Sequence, residues 1–137
     1  ILAVTHDQRI PLVQQYRPVL EKESLELPGG LIDTNKSPKE TALSELREET
    51  GLVASSIQPL GILNPDPGRL ENRFHCFFTS NVEVNTNIIP EKHINLVWVD
   101  FNGLRKMLAD GRINSSLHIA LLALAQVKGY IKNLNIK

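Results

Sequence analysis

Cysteine is nearly absent: Cys76 is the only one in 137 residues. An internal disulfide is therefore excluded. A lone thiol fits a reducing compartment, and the cytoplasm is the expected location. Excess charge of either sign is missing too, with 15 Lys and Arg against 15 Asp and Glu. No general basic field is available to hold nucleic acid, so any recognition of phosphate must be local. Long apolar runs are also lacking. The longest, Ile119 to Ala125, is far too short to span a bilayer. No signal peptide, internal repeat or low-complexity tract is visible. What remains, with 42% hydrophobic residues, suits one globular domain over 1–137 with a substantial core.

The most structured stretch runs from Gly29 to Leu52. Ser37-Pro38-Lys39-Glu40 reads as a capping box, with Pro38 at the first helical position. Gly51 suits the left-handed residue that ends a helix. The spacing predicts a helix from Pro38 to Thr50. Ala42, Leu43, Leu46 and Thr50 form its core side. Glu45, Glu48 and Glu49, at i, i+3 and i+4, share an adjoining face. Carboxylates that close repel one another. They form either a solvated acidic face relieved by Lys39 and Arg47, or a site for a hard divalent cation, which takes carboxylate oxygens alongside substrate phosphates.

Gly29-Gly30, followed by Glu45-Leu46-x-Glu48-Glu49-x-Gly51-Leu52, resembles the Nudix box. The resemblance implies an α/β fold, a Nudix-type α/β/α sandwich with a mixed sheet. It also implies Mg²⁺-dependent cleavage, with Mn²⁺ as the alternative ion, of a nucleoside diphosphate linked to another group. By resemblance, Glu45 and Glu49 are the main metal ligands, Glu48 a further ligand or a base, and the Gly29 carbonyl a backbone ligand. Two positions depart from the pattern: Lys36 stands where the family has Glu, and Ser44 where it has Arg. In the family those residues support the loop and orient the first catalytic Glu. Arg47 points elsewhere from the helix, so it is not expected to replace the lost guanidinium. Outer-shell losses typically cost about 10–100-fold in metal affinity or activity. Asn35, where Gly is common, tolerates a left-handed conformation.

Other segments resemble the ADP-ribose pyrophosphatase branch. Ile1 to Thr5 and Arg9 to Arg17 read as two strands forming a hairpin, with Pro11 marking an edge or irregularity. Gln14-Gln15-Tyr16-Arg17 matches a Gln-aromatic-Arg segment whose Arg approaches the substrate's phosphates. A guanidinium forks onto phosphate oxygens, although a surface Arg in an edge strand is the plain alternative. Leu25 to Gly30 suggests a brief strand. The same branch carries Glu before an aliphatic residue and Pro, and that resemblance implies that Glu26 lies near the metals or substrate, a plain edge-strand Glu being the alternative. Asn64 to Glu71, rich in Pro and Gly, is a loop. In that branch a similar loop lies over the active site, so Arg69 and Glu71 are candidate substrate contacts.

Ile57 to Leu63 reads as a strand, and Asn72 to Ser80 as a buried central strand. His75 reads as structural, and Cys76 lacks an identifiable base. The polar stretch from Asn81 to Asn95 is long enough to be functional. Its Glu91, with Glu83 behind, is the candidate general base or further metal ligand by resemblance. Leu96 to Val99 forms the next strand. Asp100 can cap a helix over Phe101 to Ala109, and Ser115 or Ser116 one over Leu117 to Lys128 that packs the core. Tyr130 to Lys137 reads as a short strand or frayed end.

The expected function is a pyrophosphohydrolase releasing a nucleoside monophosphate and a sugar phosphate from a substrate such as ADP-ribose. A homodimer is expected from the resemblance alone. Two rivals stand beside it. One is a domain that binds a nucleotide sugar as a sensor and barely hydrolyses it. The other is a Nudix hydrolase of nucleoside triphosphates or dinucleoside polyphosphates, against which the Gln-Tyr-Arg and Pro-Gly features weigh.

Overall fold

The strand residues alternate between two cores, and that alternation sets the architecture. In the computed structural model, which describes residues 1–132 and 134, β1 (Leu2–Ala3) lies parallel to β6 (Phe74–Thr79), with Leu2 opposite Phe78. On its other side β6 pairs antiparallel with β5 (Gln58–Leu63), so this sheet is mixed. Successive strand side chains point to opposite faces. Leu2, Cys76 and Phe78 enter one core, while Ala3 and Phe77 enter the other.

Helix α1 (Pro38–Thr50) supplies Leu46 to the second core. Helices α2 (Phe101–Ala109) and α3 (Ser116–Val127) supply Phe101, Leu104, Leu121, Leu122 and Ala125 to the first. Helices thus cover both faces of the β layer, which is the expected α/β/α sandwich. Leu46 and Leu121 are fully buried, and truncating such a leucine to Ala costs about 2–5 kcal/mol.

A second sheet is antiparallel, in the order β3-β2-β8, from β2 (Arg9–Arg17), β3 (Lys22–Glu26) and β8 (Asn95–Asp100). The expected hairpin of the first two strands does not form. The turn from Thr5 to Arg9 carries the chain from one sheet to the other, and β2 makes its hairpin with β3 instead. β2 is central in its sheet, but β8 pairs it only as far as Gln14, so at Arg17 the one neighbour among the described residues is Lys22 of β3 and the plain reading of a locally edge-placed Arg stands. Pro11 is tolerated because β3 pairs only from Val13 onward, so at Pro11 the one neighbour is Trp98 of β8. The strand expected at Leu25 to Gly30 begins earlier and stops at Glu26, and the chain then opens into the glycine loop.

A two-stranded ladder, β4 (Leu52–Ala54) with β7 (Val82–Val84), was not legible in the sequence. Both strands are short and flanked by polar residues. After β7, the Asn85 N–H reaches the Gly51 carbonyl at 3.0 Å and the Glu91 N–H reaches the Glu48 carbonyl at 3.1 Å. The polar segment is therefore fastened to the C-terminal end of α1, where helix carbonyls lack intrahelical partners.

The predicted bounds of α1 and α2 match the structure. Ser37 and Glu40 bond reciprocally as a capping box, and Gly51 closes α1 at φ 71°. Asp100 accepts from the Gly103 N–H at 2.6 Å to cap α2. Ser115 occupies the corresponding position of α3 without a side-chain bond, and the helix ends at Val127, before Lys128. Of the tail segment, residues 133 and 135–137 lie outside the described residues. Among those described, residues 130–132 and 134 form no strand, and Ile131 and Leu134 are buried in the first core.

Candidate active site

Two local features bring the glycine pair and the acidic face of α1 together. The Gly29 N–H donates to Glu49 Oε2 at 2.8 Å. Gly30 leaves room for Glu45: a Cβ at residue 30 would lie 2.3 Å from Glu45 Oε1. Only glycine lets the backbone approach the carboxylate this closely.

The helix face is not evenly exposed. Glu49 is only 5% accessible, Glu45 and Glu48 are half-buried, and Glu91 is exposed. A solvated acidic face therefore does not describe Glu49. Burial pushes its pKa up to about 7, against the pull of the Gly29 N–H and with the negative charge of Glu45 and Glu91 adding to the rise. Glu45 is raised in the same way, first by burial and then by Glu48 and Glu91. The carboxylates lie close enough to oppose each other's ionisation, and among the described residues no cation is bonded to Glu45 or Glu49.

Among the described residues no three His, Cys, Asp or Glu side chains converge into a ready-made metal cage. That geometry still suits one kind of ion. Mg²⁺ keeps several waters and is commonly held by one or two carboxylates together with substrate phosphates. An all-oxygen set, half desolvated and mutually repelling, fits such a cation.

A cavity of about 440 Å³ opens beside these groups. Gly29, Gly30 and Glu45 line it, together with Arg17, Glu26, Arg73 and His118. Leu31, Ile32, Pro38, Ala42, Pro65 and Phe74 supply apolar wall. Arg17 does not hang free. Its Nε donates to Glu26 Oε1 at 2.8 Å and its Nη2 to Glu26 Oε2 at 2.5 Å. The fork raises the Arg17 pKa. Burial acts to raise Glu26, but the bonds from Arg17 and Ser24 outweigh it and hold the carboxyl below its usual range.

The remaining sequence-predicted residues are dispersed. Glu48 pairs with Arg47 at 3.2 Å and does not line the cavity. Glu91 lies within electrostatic reach of both Glu45 and Glu49, while Glu83 sits exposed in the β4–β7 ladder opposite Val53. Arg69 and Glu71 are exposed outside the cavity lining, with Arg69 turned toward Asp66 at 3.7 Å. The same loop region contributes Pro65, Asn72 and Arg73 instead. His75 also lines the cavity. Burial pushes the Cys76 thiol up to about 11, which removes it as a nucleophile at neutral pH.

Sequence reasoning missed Thr41, Arg73 and His118 as lining residues. His118 left a faint signal as the one titratable side chain in an otherwise apolar helix. Thr41 left none.

Lys36 bonds to Asp33 at 3.3 Å and lies within electrostatic reach of Glu45, whose charge it favours. Arg47, held on Glu48, does not stand in for the guanidinium missing at Ser44.

The NUDIX domain model matches residues 1–119. The methanol dehydrogenase activator of Bacillus methanolicus is 25% identical over 136 residues, spanning 97% of this chain and 74% of that protein. The ADP-ribose pyrophosphatase of Mycobacterium tuberculosis is 33% identical over 127 residues, spanning 88% of this chain and 60% of its own. That of Bacillus subtilis is 34% identical over 84 residues, 61% of this chain and 45% of that one. The chain thus spans about half to three quarters of the length of these relatives. The crystal structure of an ADP compounds hydrolase superposes with a TM-score of 0.76 at 21% identity, over 95% of this chain and 74% of that one, and so shares its fold. Box, fold and family model coincide, and the chain belongs to the Nudix family.

Proposed function

We propose that this domain is a Mg²⁺-dependent pyrophosphohydrolase of nucleoside diphosphate sugars, ADP-ribose first among them, acting in the cytoplasm. One observation carries the reading: the glycine pair, met by buried Glu49 and half-buried Glu45, lines the same cavity as Arg17. Relatives named ADP-ribose pyrophosphatase support the substrate class.

Glu45 and Glu49 would hold the divalent cation, Mg²⁺ or Mn²⁺, with the Gly29 carbonyl and Glu48 as further ligands. When bound, the ion supplies positive charge to an anionic diphosphate and makes a water more acidic. Arg17 orients the diphosphate through its guanidinium, and Glu26 holds Arg17 in the cavity wall. As the loop's cationic contact we favour Arg73, which lines the cavity, over Arg69 and the neighbouring Glu71, which do not. Glu91, or Glu48 beside it, accepts a proton from the attacking water. Water adds across one phosphoanhydride linkage, giving a nucleoside monophosphate and a sugar phosphate. We extend the reading to a homodimer from the family resemblance.

The test is AMP release from ADP-ribose with Mg²⁺, using Glu49→Gln as control. Metal-dependent release that the variant lacks, with cooperative unfolding at a temperature no lower than that of metal-free wild type, is the expected result. A Glu49→Gln variant with undiminished turnover removes Glu49 from the site. A second reading, a nucleotide-sugar sensor, draws on the cation Lys36 near Glu45 and on Ser44. Binding of ADP-ribose by calorimetry without AMP release would favour it.

A further inference from the structure

Folded chains leave few buried polar atoms without a partner. Among the described residues two buried side-chain atoms are in that state, Thr41 Oγ1 and His118 Nδ1. Both residues line the same cavity. They reach it from different helices: Thr41 stands on α1 one turn before Glu45, and His118 near the start of α3. Thr41 is only 4% accessible, and its hydroxyl makes no hydrogen bond among the described residues. His118 is packed near the Phe74 ring, with 6.2 Å between centroids, and lies within electrostatic reach of Glu26 and Arg17.

Burial lowers the His118 pKa to about 4, so the ring is neutral at neutral pH. A neutral imidazole offers one donor and one acceptor, and a threonine hydroxyl offers both in a single group. Phosphate oxygens, which only accept, would use the donor of each group and leave its acceptor unmatched. The matching groups are hydroxyls, which also donate and accept. A sugar carries several of them on a rigid ring, while Arg17 and Arg73, which line the same cavity, are the groups the reading above gives to the phosphates.

We propose that Thr41 and His118 are substrate-contact residues that hold ribose hydroxyls of the nucleotide sugar bound in this cavity. The proposal rests on the nucleotide-sugar reading above and adds to it the groups that would select a sugar over an unadorned diphosphate.

Thr41→Val and His118→Phe delete the hydrogen-bonding atoms at nearly constant size, while Thr41→Ser and His118→Asn retain them. Kinetics on ADP-ribose would be compared with kinetics on analogues in which each ribose hydroxyl is singly replaced by hydrogen. Thr41→Val and His118→Phe should melt at the wild-type temperature or a few degrees above it, because an unpaired buried polar atom costs stability. Their KM should rise about 10-fold per lost bond, with the loss falling mainly on KM rather than kcat. On the analogue lacking the contacted hydroxyl the variant should lose almost nothing further. The Ser and Asn variants should recover most of the affinity.

An unchanged KM in a folded variant would overturn the proposal, and so would an equal loss on ADP-ribose and every deoxy analogue. Either result would assign the two atoms to buried water or to packing. Should Val or Phe prevent folding, the comparison of Ser and Asn variants across the analogues decides in the same way. Failure of the nucleotide-sugar reading is seen separately, as wild-type protein that neither binds nor cleaves ADP-ribose, and this proposal then falls with it.

Discussion

Gly30 shows how a single residue can matter through what it leaves out. The atom nearest an added Cβ is the end of a flexible Glu45 side chain rather than backbone, so the fold can yield cheaply. The site cannot, because the carboxylate that must move is a proposed metal ligand. Gly30→Ala should therefore keep its melting temperature within a few degrees while losing about 10–100-fold in metal-dependent turnover. Melting and initial rates on the same preparation check this. A large drop in stability with activity retained would show that Gly30 serves the loop and not Glu45. Arg17 and Glu26 make a related point. Each reads alone as a charged strand residue; the β2–β3 register sets Glu26 opposite Val13 and Arg17 opposite Lys22, and the fork forms because the two side chains reach along the ladder to each other.

At the scale of elements, α1 carries both the site and its own boundaries. Its capping box is complete: Ser37 Oγ accepts from the Glu40 N–H at 3.2 Å, and the Ser37 N–H donates to Glu40 Oε2 at 2.8 Å. Ser37→Ala should cost about 1 kcal/mol, a fall of about 3–4 °C in Tm for a domain of this size. Turnover at 25 °C should change little, since Glu45 and Glu49 lie two to three turns further on. The same helix and its preceding loop carry the departures from the family pattern. Lys36→Glu with Ser44→Arg should raise kcat/KM by about 10-fold or more if the missing outer-shell partners limit the rate. A folded double variant with no gain would mean that the present loop, with Lys36 on Asp33, already holds Glu45 productively.

Stability of the whole molecule against pH should show two buried groups working in opposite directions. His118 has a folded pKa of about 4 against 6.5 for the free side chain, with Glu26 and Arg17 facing it. The unfolded chain therefore binds the proton first, and stability is lost as pH falls from 6.5 toward 4. Glu49 has a folded pKa of about 7 against 4.5, facing Glu45, Glu91 and the Gly29 N–H. Here the folded chain binds the proton first, so stability is lost as pH rises from 4.5 toward 7. Each contribution is about 3 kcal/mol at full extent. Between pH 4.5 and 6.5 the two should nearly cancel in metal-free protein. Glu45, raised in the same way, adds a loss with rising pH, so in urea unfolding with EDTA Glu49→Gln should tilt from the wild-type profile toward loss on acidification, and His118→Phe toward loss on alkalinisation. Parallel profiles for wild type and Glu49→Gln would sink the assignment. At pH 7 Mg²⁺ should raise the wild-type melting temperature and leave that of Glu49→Gln almost unmoved.

The sequence by itself determined whatever depends on neighbours a few residues apart. Capping chemistry bounded α1 at Pro38 and Gly51, the i, i+3, i+4 spacing set Glu45, Glu48 and Glu49 on one face, and the box carried the family. These signals are legible because a helix turn fixes geometry over 3.6 residues. Strand pairing is not local in that sense, so the expected β1–β2 hairpin gave way to a parallel match between β1 and β6, more than seventy residues apart. Burial is not local either. Only the folded chain separates Glu49 from Glu48 on the same helix face, one enclosed behind the glycine pair and the other held outward by Arg47. Tertiary structure alone also decided that Arg17 would rest on Glu26, that Arg73 rather than Arg69 would face the cavity, and that Thr41 and His118 would meet it with unpaired atoms. The physical reason is common to all of these. A side chain's partners and its access to water are set by segments distant in the chain, which come together only when both cores close around the sheet.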